Sequence, residues 1–245
     1  MRFLYLLATL MLIVSIQPKL VAQDKTPSEI LRLSQERHDP NANWESAKLH
    51  IHLQEPRPQT PSRYSILYLD NATGEFRLTR TVEEGVIERI ITPTGEAKIL
   101  LNGSDDFSEA IREKYRLNAG RNSGYKSFYQ ILNGLPMSLN KNVVEEIQRG
   151  EDGVFEEMEI YTIRVELIEQ IISKYWVLHI AKEDYSLVGL KFDHHEDSNQ
   201  EDELIHFGGE FTFEEVIIPR FRHWYHEDSK EYLGTDVIVK EIPQN

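Results

Sequence analysis

The side chains able to do chemistry are few in kind. Nine histidines and no cysteine leave imidazole and carboxylate as the metal ligands on offer, and they exclude thiol catalysis, thiolate metal sites, disulfides and the acylated cysteine of a lipoprotein. The histidines worth weighing fall in pairs: His50 with His52, His194 with His195, and His223 with His226. His50 and His52 share one face of a strand, near enough to share a metal, and His194-His195-Glu196-Asp197 offers donors in a turn. Neither pair has a third donor at a diagnostic spacing, and the two-histidine helical signature of zinc proteases is missing. Because His50 and His52 face away from Leu49, Ile51 and Leu53, a solvated strand face is expected for them; His223, in step with Phe221 and Tyr225, is expected to be a hydrogen-bonded core histidine. Ser123-Gly124-Tyr125-Lys126 has the serine-x-x-lysine spacing of penicillin-recognising enzymes, but the Lys-Thr-Gly element and the large helical domain are absent. The adjacent glutamates Glu83-Glu84, Glu145-Glu146, Glu156-Glu157 and Glu214-Glu215 would point to opposite faces of a strand, so they read as solvated surface rather than as glycosidase carboxylates. No catalytic residue, metal or cofactor is expected. The competing enzymatic reading is a histidine- or metal-dependent envelope hydrolase.

Across the whole chain 27 Lys and Arg stand against 41 Asp and Glu, a net charge of -14 over 245 residues. That balance opposes attraction to nucleic acid or to anionic membranes, so no nucleic-acid partner is expected. Arg2 followed by the 14 residues Phe3–Ile16, broken only by Thr9 and Ser15, reads as an export signal, too short for the roughly 20 residues of a membrane span. Residues 1–22 are expected to be removed after Ala22, leaving a periplasmic or secreted, non-lipidated chain with no stable membrane span, and residues 23–245 as one domain.

Thr26-Pro27-Ser28-Glu29 opens a short helix that must end by Asp39-Pro40. From Lys48 the apolar period becomes two, and strands are expected at 48–53, 63–69, 75–82, 86–92 and 96–101, joined by short turns. A helical insertion is expected near 104–149, capped at Ser104, Asp105 or Asp106 and carrying a second helix from Tyr125 to Gly134. Strands resume at about 157–168, 173–182, 186–193, 203–213, 220–227 and 231–240. The fold class is therefore α+β, mostly antiparallel β: one curved, incomplete barrel of about 11 strands wrapped around a few short helices.

The late strands carry one-sided apolar faces: Trp176, Leu178 and Ile180; Val188, Leu190 and Phe192; Ile205, Phe207, Phe211 and Phe213. A curled sheet with such a face leaves either a filled core or an apolar cavity. Trp44, Phe128, Leu132, Trp176, Leu190, Phe192, Phe207, Phe211 and Trp224 are the candidate cavity residues, with Trp224 in step with Arg222 and free to stack on it. Trp44 has two readings, a plug that docks the first helix or part of the cavity mouth.

Three segments also resemble landmarks of an uncharacterised family of exported bacterial proteins: His38-Asp39-Pro40-Asn41-Ala42-Asn43-Trp44, Leu132-Asn133-Gly134-Leu135-Pro136-Met137, and Trp224-Tyr225 with Tyr232-Leu233-Gly234-Thr235-Asp236. The architecture this resemblance implies is similar to that of the periplasmic lipoprotein-carrier proteins, an incomplete barrel around a few helices. It assigns no site residue. The function expected is a non-catalytic, exported protein that binds or carries a hydrophobic small molecule, a lipid-like or lipoprotein acyl group, with an envelope lipoprotein as a conceivable partner; a structural envelope protein with a filled core is the further alternative.

Overall fold

A computed structural model describes residues 24–194 and 200–243. The residues expected to form an export signal and the turn residues His195, Glu196 and Asp197 lie outside the described residues. Thr26 accepts the Glu29 N–H at 3.2 Å and Pro27 opens helix α1 (Pro27–His38), as the spacing predicts.

Among the described residues thirteen strands follow, two more than the sequence reading. The first five are β1 (Lys48–Gln54), β2 (Tyr64–Asp70), β3 (Glu75–Val82), β4 (Gly85–Ile91) and β5 (Ala97–Leu101). Helices α2 (Glu109–Tyr115) and α3 (Asn122–Asn133) interrupt them. The remainder are β6 (Val144–Arg149), β7 (Gly153–Phe155), β8 (Met158–Ile171), β9 (Ser173–Ala181), β10 (Leu187–Asp193), β11 (Glu203–Phe213), β12 (Val216–His226) and β13 (Tyr232–Glu241). The cap of α2 is Ser108, not Ser104 or the two aspartates. The helical insertion ends at Asn133, and 144–149 is strand rather than helix.

All strands pair antiparallel in the order β5-β4-β3-β2-β1-β13-β12-β11-β10-β9-β8-β6, with β7 beside β6 along β8. The chain's first and last strands meet in the middle, while β5 and β6 remain unjoined, so the sheet is not closed. Helix α3 touches β4 and β5 at one end of this order and β8 near the other, which only a curled sheet allows. Helix α1 packs against β6, β8 and β12.

The inner face holds the core in two adjoining clusters. One joins Leu49, Ile51, Leu53, Leu67 and Phe76 to Tyr129 of α3; the other joins Trp176, Leu178, Leu190 and Phe192 to Ile30 and Leu132 of the helices. Phe128 of α3 packs against both. Val188 departs from the expected face. A bulge between Leu187 and Gly189 puts Leu187 inside and sends Val188 to an outer cluster with Ile160, Ala181 and Phe155.

Candidate functional site

The three landmark segments turn out to be rivets that hold the helices in the concavity. His38 is buried and spans two strands: its Nδ1–H donates to Ile217 O at 2.8 Å and its Nε2 accepts the Leu187 N–H at 3.0 Å. Burial holds this imidazole below its ordinary pKa, the Ile217 carbonyl opposing the shift, so it stays neutral. The Asp39 carboxylate accepts the N–H groups of Asn43 and Trp44 at 2.9 and 2.8 Å, which turns Trp44 inward. Trp44 is 5% exposed, meets Phe213 edge-on at 6.4 Å, and lies against Gly134, where any Cβ would sit 2.1 Å from the Trp44 ring. Gly134 is thus required by close approach rather than by its backbone angles. At the third segment Gly234, with φ of +145°, lets Arg57 cross the sheet to Asp236 at 2.7 Å; the same carboxylate accepts the Trp224 Nε1–H at 2.8 Å. Arg57, not Arg222, lies over the Trp224 ring, at 6.0 Å.

Beneath α3 the inner face turns polar. Glu55, just past β1 and 2% exposed, accepts from Tyr129 at 2.8 Å, from Arg80 at 3.0 Å, from Arg63 at 3.3 Å, and from Ser65 in a short bond. Burial alone would raise its pKa, but the Arg80 and Arg63 guanidiniums with the Ser65 and Tyr129 hydroxyls outweigh that and hold it at about 2. Burial pushes the Tyr129 phenol up, with Glu55 adding to it, so both its proton and the carboxylate charge are fixed in place.

Among the described residues two further buried arginines have no carboxylate in hydrogen-bond contact. Arg89 is 3% exposed and gives its hydrogen bonds to neutral acceptors: Asn122 Oδ1 at 3.3 Å and the Tyr115 and Arg116 carbonyls at 3.1 and 3.2 Å, with the Tyr125 ring at 4.0 Å. Arg222 faces inward on β12, 1% exposed, and its Nε and Nη2 are buried without a hydrogen-bond partner. Burial lowers its pKa to about 10 against the pull of Asp236.

Arg80 and Arg89 are diagonal neighbours on one face, since Arg80 pairs with Ile87 and Leu78 with Arg89 across β3 and β4. They border a pocket of about 270 Å³ under α2, lined also by Lys114, Arg116, Tyr115 and Tyr125, with only aliphatic side chains besides. Among the described residues no carboxylate lines it. Arg116 and Tyr125 also border a cleft of about 590 Å³ that runs between α3 and the β8–β9 turn, where Phe128, Ile171 and Ile172 supply apolar wall. The two spaces therefore share Arg116 and Tyr125 as common walls.

The candidate cavity residues sort into two groups. Trp176, Phe192, Trp224 and Phe128 form a run of ring contacts at 4.9, 5.7 and 6.5 Å, in one cluster with Leu132, Leu190 and Phe207. Trp176, Leu190 and Phe192 are fully buried there. Trp44 and Phe211 lie in the other cluster, and Trp44 also borders a separate cleft of about 320 Å³ with Ile131 and Ser138. Of the nine, Phe128 is the one that borders the cleft beside the β8–β9 turn.

The described histidines do not assemble into a site. Among the described residues no three His, Asp or Glu side chains converge as a metal site would need. His50 sits edge-on to Tyr68 at 5.5 Å and His52 to Tyr64 at 6.2 Å, half-buried on the outer face. His223 is not a core residue; it is half-buried outside, stacked on Phe221 and bonded to Thr235 at 2.8 Å. Ser123 donates to the Gly120 carbonyl and Lys126 to Gly74 at 2.7 Å, so the serine-lysine pair is engaged elsewhere. Sequence reasoning missed Glu55, Arg80, Arg89 and Asp236. The available signal was a charge standing in an apolar register: Arg80 after Phe76 and Leu78, Arg89 between Ile87 and Ile91, Asp236 before Ile238.

No protein-family model matches this chain, and no curated protein matches it. Among solved structures it is similar to a LolA superfamily protein from Nitrosomonas europaea, with a TM-score of 0.47 and 7% identity over 90% of this chain and 96% of that one. It is likewise similar to a putative outer membrane lipoprotein-sorting protein domain from Vibrio parahaemolyticus, at 0.46 and 10% over 88% and 94% of the chains. A DUF1329 family protein from Desulfovibrio piger gives 0.44 and 8% over 90% and 96%. At these scores and identities none of them carries a residue role onto this chain.

Proposed function

We propose that this chain is an exported, non-catalytic binding protein that holds a lipid-like ligand in the seam between α3 and the sheet. The observation that carries the reading is the cleft of about 590 Å³ beside Tyr125, Phe128, Ile171 and Ile172, which meets the apolar interior at Phe128, the residue that packs against both core clusters. A chain in the cleft would replace water on these side chains with apolar contact, at roughly 0.8 kcal/mol per buried methylene. Deeper entry requires α3 to shift, since the aromatic run behind Phe128 is already packed.

A saturable rise in N-phenyl-1-naphthylamine fluorescence on titration with the protein, lost in Phe128→Glu, is the expected result. No saturable rise would end the reading. The complete burial of Trp176, Leu190 and Phe192 favours a second reading, a structural envelope protein with a filled core, and the absence of probe binding would leave that one standing.

A further inference from the structure

Charge in this molecule is distributed against its own average. The chain carries -14, yet the pocket of about 270 Å³ under α2 is lined by Arg80, Arg89, Lys114 and Arg116 and by no acid. Lys114 is neutralised at the rim by Glu83 at 3.1 Å and Glu84 at 2.6 Å. Arg80 shares Glu55 with Arg63. Arg89 has only neutral acceptors, and Arg116 stands exposed at the left-handed end of α2. Two guanidiniums held side by side on one face repel one another and lose hydration, an arrangement that one carboxylate does not balance. The missing element is an acceptor with two or three oxygens, the shape a guanidinium fork matches.

Size and surroundings narrow it further. At about 30 Å³ per water the pocket has room for roughly nine waters, enough for a compact head and a few methylenes. Besides Tyr115 and Tyr125, its remaining walls, Leu78, Val82 and Ile87, are aliphatic, and it shares Tyr125 and Arg116 with the cleft that Phe128, Ile171 and Ile172 border. A free polar anion would gain nothing from these walls. An anion on a hydrocarbon chain fits both spaces at once.

We propose that the ligand is an anionic amphiphile whose oxyanion head, a carboxylate or a phosphate monoester, is held by Arg80, Arg89 and Arg116 while its chain lies in the seam; this rests on the binding reading above. The test is displacement of N-phenyl-1-naphthylamine from the full chain by four ligands of one chain length: dodecanoate, dodecyl phosphate, dodecanol and dodecyltrimethylammonium. At least one of the anions is expected to displace the probe ten times or more better than dodecanol, with the cation no better than dodecanol, and the stronger anion tells which head is bound. In Arg116→Gln and Arg89→Gln the preference for that anion over dodecanol should fall toward unity. Arg89 also holds the end of α2, so Arg116→Gln carries the test if Arg89→Gln fails to fold; Arg32→Gln, on the exposed side of α1, is the control that keeps the preference. Equal displacement by dodecanol and both anions, or a preference untouched by Arg116→Gln, overturns the proposal while leaving the binding reading in place. Failure of the uncharged probe to bind removes both.

Discussion

Replacing the buried Arg222 with methionine should make the protein more stable, against the usual direction for a core substitution. The guanidinium is 1% exposed with two unpartnered nitrogens, and burial drives its pKa well below the ordinary arginine range, to about 10. At 1.36 kcal/mol per unit this corresponds to about 3 kcal/mol of destabilisation of the charged form, and arginine does not shed its proton at neutral pH to escape it. Methionine fills most of the same space and loses about 1 kcal/mol of packing. Asp236 stays paired through Arg57 and the Trp224 N–H, so no new orphan is made. The net gain expected is about 2 kcal/mol in urea unfolding at pH 7, or about 4–8 °C in Tm for a chain of this size. Arg222→Lys should show no such gain. A loss of 2 kcal/mol or more in the methionine variant would mean that the guanidinium has a strong partner, and the reasoning from its isolation would fail.

Glu55 should dominate the acid limb of stability. Its folded pKa of about 2 lies below the ordinary 4.5, so the unfolded chain takes the proton first: its contribution, about 3 kcal/mol, is complete above pH 4.5 and drains away as the pH falls toward 2. Glu55→Gln should cost about 3–5 kcal/mol at pH 7, because Arg80 and Arg63 lose their shared anion, and should flatten urea-derived stability between pH 4.5 and 2; a variant profile parallel to wild type would contradict this. Gly134→Ala drives a methyl to 2.1 Å from Trp44 and should cost about 3 kcal/mol with a red shift of tryptophan emission, recovered when Trp44→Leu is added. An unchanged melt for the single variant would refute the rivet.

Much of the architecture can be read from residue order, and the failures have specific physical causes. Thr26-Pro27-x-Glu29 marks α1 because capping chemistry is local, and β1 to β5 are legible because Asn, Gly and Pro separate clean alternation. The β7–β8 and β11–β12 hairpins are not, since their turns are Glu156-Glu157 and Glu214-Glu215 at positive φ, where Asn-Gly is the usual signal. Hence β12 begins at Val216 rather than 220. In β6 a bulge between Val144 and Glu146 leaves Val144 and Ile147 three apart, a helical spacing inside a strand. Arg80 and Arg89 stand out locally as charges in an apolar register, but their convergence on one pocket does not. Its geometry depends on contacts such as Glu55 to Tyr129, 74 residues apart, which no local period reports.

Native mass spectrometry of the protein, purified gently from its own cells, bears most directly on whether the seam is a binding site. The expected spectrum shows the polypeptide with one amphiphile-sized adduct that Phe128→Glu abolishes. A bare polypeptide mass from every preparation, together with no uptake of added dodecanoate or dodecanol, would contradict the account.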